Sequence, residues 1–303
     1  MQHKKMLETW IILAVLAAIS QSVRTCLQKD LAKKYSPIFI TWGRFLFGVP
    51  IAFIYLIFLT ISHFNLPSIS FEFLFYCSLA GLSQIVGSIM QTSLLRDRNF
   101  AVGIAYSKTE AILAAIFAYI LFAEKISLFE FFAIIIGSSG VIILSLLGNS
   151  GGLSFENLKT KTSLIGLTLG IFHAFTAIFI REASLSLESK FTISAGLTLF
   201  SVMLIQATFL TIYLKIKNLI IIEDFKNYSS LKELILLGVI GVVTSIFWYS
   251  AYSIQTASLV NAVGQVELIF SLLATRIIFK EKIKNLEKLG ISLIIISVLA
   301  LVL

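Results

Sequence analysis

Charge is what this sequence has least of. Aspartate, glutamate, lysine and arginine make up 13% of its 303 residues, about half the share of an ordinary soluble domain, so a water-facing fold is excluded. Histidine (3) and cysteine (2) are equally sparse. Cys26 and Cys77 sit in separate apolar segments with no CxxC or metal-ligand spacing, and read as small packing residues. No GxxxxGK[ST] loop or HExxH is present, which removes the usual nucleotide-phosphate cradle and the zinc-protease helix. No metal and no cofactor is expected. Any energy-requiring activity must then draw on an ion or solute gradient.

What the chain does have is apolar length. Hydrophobic residues account for 58% of it, and mean hydropathy is +0.96. Apolar stretches long enough to cross a bilayer as helices occur at about 10–28, 37–61, 71–94, 100–122 and 128–147. Five more follow at about 164–181, 191–214, 232–255, 258–279 and 286–303. The start, MQHKK before an apolar run, imitates a signal peptide, but the run extends to about Cys26 and is expected to be a retained first span. The net charge of +8 comes from lysines in short loops. No basic tract or soluble domain exists to bind nucleic acid.

The chain repeats itself. AVGIAYSKTEAILAAIFAYILFAEK (Ala101 to Lys125) returns as SLVNAVGQVELIFSLLATRIIFKEK (Ser258 to Lys282). A single offset aligns them without a gap, pairing Glu110 with Glu267 and Glu124 with Glu281. The two glutamates of one copy are about 21 Å apart along a helix. If the later one lies at the water boundary, Glu110 and Glu267 are deep in hydrocarbon, where an ionisable group suggests function. The first spans align more weakly, Gln21 with His173 and Lys29-Asp30 with Arg181-Glu182. Residues 1–148 and 164–303 therefore read as two five-helix repeats joined by a linker at 149–163. An odd number of spans per repeat makes the second enter from the opposite side, the inverted plan of many secondary transporters. The expected fold class is an all-α integral membrane protein with ten transmembrane helices.

Ten spans in two inverted halves, SPIFITWGRFLFG at Ser36 to Gly48, and fourth and ninth spans ending in Glu-Lys resemble the EamA family of the drug/metabolite transporter superfamily. The resemblance covers essentially the whole chain. It implies a carrier of small metabolites or drugs, often an exporter, with a central cavity formed chiefly by spans one to four and six to nine. In that family a proline often follows the mid-span glutamate, where this chain has Ala111 and Leu268. A kink is therefore not expected there, since alanine and leucine keep the backbone donor that proline lacks.

The candidate substrate or coupling-ion residues are Glu110, Glu267, Lys108, Arg44, Gln265, His173, Trp248, Tyr249 and Tyr252. For the two glutamates the sequence admits a register-setting ion pair, with Arg44 or Lys108 for example, or a proton or cation site. On an ideal helix Lys108 points about 200° away from Glu110, so the two do not simply neutralise each other. The second copy replaces that lysine with Gln265. Arg44 needs a carboxylate, backbone carbonyls or an anionic ligand, while Arg276, near its span end, is expected to snorkel. His173 reads as a packing histidine or a proton relay. Trp248, Tyr249 and Tyr252 suit either a ring or organic-cation site or an interfacial belt. Gln84, Gln91 and Asn261 serve as cavity lining or interhelical hydrogen-bonders.

Small residues at four-residue spacing, Ala14/Ala18 and Gly166/Gly170, suit close packing within the bundle or a homodimer face. Spans five and ten, nearly free of polar side chains, look lipid-facing or oligomeric. Loop lysines and arginines favour both termini outside, whereas the resemblance implies both inside. The expected activity is secondary transport of a small solute by alternating access across the cell inner (cytoplasmic) membrane, proton-coupled through Glu110 and Glu267. It is not expected to be an enzyme. The rival classes are an intramembrane enzyme and a non-transporting assembly or lipid-binding protein.

Overall fold

The computed structural model describes residues 2–63, 67–97, 105, 107–122, 128–147, 161–219, 228–280, 282 and 284–302. Among these every regular element is helical. The first half comprises α1 (Gln2–Leu31), α2 (Pro37–His63), α3 (Phe71–Asp97), α4 (Glu110–Phe122) and α5 (Leu128–Leu147). The second comprises α6 (Lys161–Leu185), α7 (Phe191–Ile216), α8 (Tyr228–Tyr252), α9 (Ala257–Val263), a 3₁₀ turn (Gly264–Val266), α10 (Glu267–Ile277) and α11 (Asn285–Val302). Seven helical segments are long and apolar enough to cross a membrane, α9 to α10 counting as one, and Glu110–Leu121 is a shorter apolar helix. The closing residues Glu124, Lys125 and Glu281, most of the linker (148–160) and the start of the first repeated segment lie outside the described residues.

Local chemistry sets the helix ends. Ser36 and Ser70 hydroxyls accept from the backbone N–H groups of Phe39 (3.4 Å) and Phe73 (3.1 Å), the usual side-chain capping at a helix start. At α11 the Glu287 carboxylate reaches back to the Lys284 N–H at 2.8 Å. Within the spans, Thr25, Thr92, Thr176 and Thr244 return their hydroxyls to carbonyls four residues earlier. A polar side chain in an apolar environment is thereby satisfied without a partner from another helix. The outer surface carries Phe53, Ile54, Phe58, Phe71 and Phe129 in exposed positions, which suits lipid contact.

Packing repeats as the sequence does. α3 lies along α6, and their counterparts α8 and α1 lie along each other; α2 packs on α7 and α5 on α11, each against its own equivalent. α4 meets α6 just as α9, the 3₁₀ turn and α10 meet α1. Ala14 and Ala18, and Gly166 and Gly170, are all buried within the one chain. Their spacing thus serves the bundle rather than a homodimer face.

Spans five and ten turn one face to each other as α5 and α11, while Phe129, Phe132, Ile135, Leu289 and Ile296 stay exposed on the others. The Ser297 hydroxyl donates to the Ala133 carbonyl at 2.6 Å. A side chain at Gly140 would put its Cβ 2.6 Å from the Gly290 carbonyl oxygen. Gly140→Ile should therefore push this pair apart and destabilise the protein by about 1–3 kcal/mol. Comparing denaturation of the two purified proteins in detergent checks this, and an unchanged midpoint would contradict the close approach.

Candidate functional site

The two repeated glutamates each open a helix in mid-span. α4 begins at Glu110 and α10 at Glu267, so regular α-helical bonding is interrupted just before each glutamate even though Ala111 and Leu268 keep the donor that proline lacks. The reason lies in how the retained donors are used. The Ala111 N–H donates to the Lys108 carbonyl at 3.4 Å, a tight i−3 bond, before α-helical bonding resumes with Leu113 to Thr109 at 3.0 Å. The Glu267 N–H likewise bonds back to the Gly264 carbonyl. Tertiary contacts hold these turns: Gln265 Nε2 donates to the Lys108 carbonyl at 3.2 Å, joining the two equivalent positions of the repeats. Any side chain at Gly264 would collide with the Trp248 ring.

Because Lys108 and Thr109 lie in a turn, the ideal-helix expectation for Lys108 fails. Its ammonium, fully buried, is ion-paired with Glu267 and lies 3.8 Å from Glu110 Oε1. One cation thus answers carboxylates from both halves. Glu110 Oε2 is also 3.1 Å from His173 Nδ1, and Glu267 Oε2 accepts from Gln21 Nε2 at 2.9 Å. Gln21 Oε1 accepts in turn from Trp248 Nε1 at 2.8 Å. The pairing of Gln21 with His173 in sequence becomes a shared position beside the two carboxylates.

Beside them lies a partly open cavity of about 60 Å³ lined from α1, α2, α3, α4, α6 and α8. Glu110, His173, Arg44, Trp248, Tyr249 and Tyr252 all line it. The three aromatics are buried rather than arranged as an interfacial belt. Trp248 stacks on Tyr252 with ring centres 5.6 Å apart, and the Tyr252 hydroxyl donates to Asn261 Oδ1 at 2.5 Å. The Arg181 guanidinium fixes the end of α8, donating to the carbonyls of Tyr252 at 2.9 Å and Gln255 at 2.6 Å. Gln84 receives Gln206 Nε2 at 2.6 Å.

Arg44 has no carboxylate partner among the described residues. It donates to the Ser88 hydroxyl at 2.9 Å and lies over the Phe45 ring at 4.3 Å. Glu267, Lys108 and Gln265 lie behind the wall rather than in it. Arg276 is exposed near the end of α10. Sequence reasoning missed Arg24, a buried guanidinium on the same lining. Its signal was available, an arginine three positions after Gln21 inside an apolar span.

Fold and site together define a multi-pass membrane protein of two related halves that meet at a buried charge cluster. The EamA-like transporter family model matches residues 8–146 and 160–303, and the chain belongs to that family, whose members generally transport small solutes. A solved crystal structure superposes with a TM-score of 0.66 over 96% of this chain and 94% of its own, at 13% identity; such a likeness supports the fold alone. No curated protein matches the sequence.

A buried ion pair broken on one side leaves a charge without compensation. Lys108→Met should therefore destabilise the protein by about 3–5 kcal/mol, and adding Glu267→Gln should recover part of that loss. A double-mutant cycle by denaturation in detergent reads the coupling; additive losses would show the pair to be energetically independent.

Proposed function

We propose that the protein is a secondary active carrier that moves a small solute across the cytoplasmic membrane by alternating access. Ten spans in two inverted repeats, residues 1–148 and 164–303 with a linker at 149–163, make up the carrier. One observation carries the reading: two symmetry-related helix breaks, each opened by a glutamate, meet at a shared lysine beside a cavity lined from both halves. Discontinuous helices at a repeat interface are where such carriers bind solute and coupling ion.

Coupling follows from the same cluster. Lys108 is shared by two carboxylates, so a proton on one of them shifts the lysine toward the other. Glu110, with His173 beside it on the cavity wall, is the proton-exchanging member, and Glu267 is the anchor of Lys108. An intramembrane enzyme or a non-transporting assembly protein gains no comparable support from paired breaks.

The test uses protein purified and reconstituted in vesicles loaded with a pooled set of small metabolites, with efflux followed by mass spectrometry under an imposed pH gradient. Protein-dependent efflux of at least one solute is expected, with Glu110→Gln losing its response to the gradient while still folding. Absence of efflux for every solute, or product formation without a gradient, would overturn the carrier reading.

A further inference from the structure

Two arginines face the cavity with no carboxylate at ion-pair distance among the described residues, although Glu110 and Glu267 act on Arg24 from further away. Arg24 and Arg44 are buried, at 7% and 3% exposure, and both line the space. Among the described residues no carboxylate oxygen lies within 4.0 Å of either guanidinium. The nitrogen Nε of Arg24 has no hydrogen-bond partner, and Arg44 uses a donor on Ser88, leaving others of its five to spare. The acids nearby are already engaged: Glu267 holds Lys108 and Gln21, while Glu110 lies between Lys108 and His173.

The charge sum makes the same point. Arg24, Arg44 and Lys108 bring three cations to this centre, against the two carboxylates Glu110 and Glu267, an excess of one. His173 adds nothing when neutral and raises the excess when protonated. An uncompensated charge in a low-dielectric interior is costly, and a monovalent anion removes it. A guanidinium also matches a carboxylate geometrically, through two parallel N–H···O bonds. Ala177 and Ile180 form an apolar part of the lining, and the buried Trp248 and Tyr252 rings stand beside them.

We propose that the transported solute is a small carboxylate with an apolar or aromatic body, its headgroup received by Arg24 and Arg44. This rests on the reading of the cavity as the solute site. It assigns the two sides of that site different work: the arginines recognise the solute, and the carboxylates with Lys108 exchange the proton.

Two matched series separate headgroup charge from body: butyrate, butyramide and butylammonium, and benzoate, benzamide and benzylammonium. Each is added at rising concentration to the purified full-length protein, and Tm is read. The carboxylates should raise Tm and the amides and ammonium ions should not. Arg44→Gln and Arg24→Gln should each weaken the response by about tenfold or more, with Arg44→Lys retaining part of it. Should a variant fail to give a monodisperse protein, the wild-type charge series alone decides the matter. Stabilisation by the ammonium members instead, no response to any carboxylate, or an undiminished response in both glutamine variants would each overturn the assignment. The carrier reading is judged separately by efflux. Efflux of amines would leave it standing without the carboxylate, and carboxylate binding without any efflux would do the reverse.

Discussion

A lysine ammonium with no exposure to solvent, shared between carboxylates from two halves of the chain, is the constraint on which the remaining structure depends. Each of these charges would be very costly alone in a membrane interior, and they are tolerated because they meet. Meeting requires Glu110 and Glu267 to face each other across the repeat boundary. That in turn requires both spans to break where they do. An unbroken helix would carry Lys108 away from Glu110, and the i−3 bonds of Lys108 to Ala105 and Ala111 to Lys108 are what bring it back.

The cavity follows from those breaks. A tight turn at Gly264 admits the Trp248 ring, whose indole then orients Gln21 toward Glu267. Polar groups thus gather on the inner faces of α1, α3, α6 and α8, while phenylalanine and isoleucine face outward toward lipid. α5 and α11 complete the bundle from outside this centre, and neither contributes a lining residue.

Much of the architecture was legible in the sequence, because hydropathy and a gapless repeat are strong, additive signals. Seven of the expected spans appear as long apolar helices, and Glu110 and Glu267 occupy equivalent places, as the alignment implied. The breaks were not legible, because the proline that would have announced them is absent and the cause is tertiary. Ideal-helix geometry therefore misplaced Lys108. Trp248 and its neighbours could not be assigned to belt or cavity, since a hydrophobic run shows no direction once both its faces are apolar. Arg24 was hidden for a different reason: it has no counterpart cation in the second half, where Thr176 stands at the same offset, so the repeat does not mark it.

Accessibility of the cavity from the two sides of the membrane is the most direct test of the account. Ser245 lines the cavity on α8, and a cysteine there differs from serine only in the larger sulfur. Ser245→Cys is placed in a protein whose Cys26 and Cys77 are replaced by serine, and vesicles of both orientations are exposed to a membrane-impermeant thiol reagent. Alternating access predicts modification from either face. Modification from one face alone, or from neither, would mark a closed pocket and contradict the carrier.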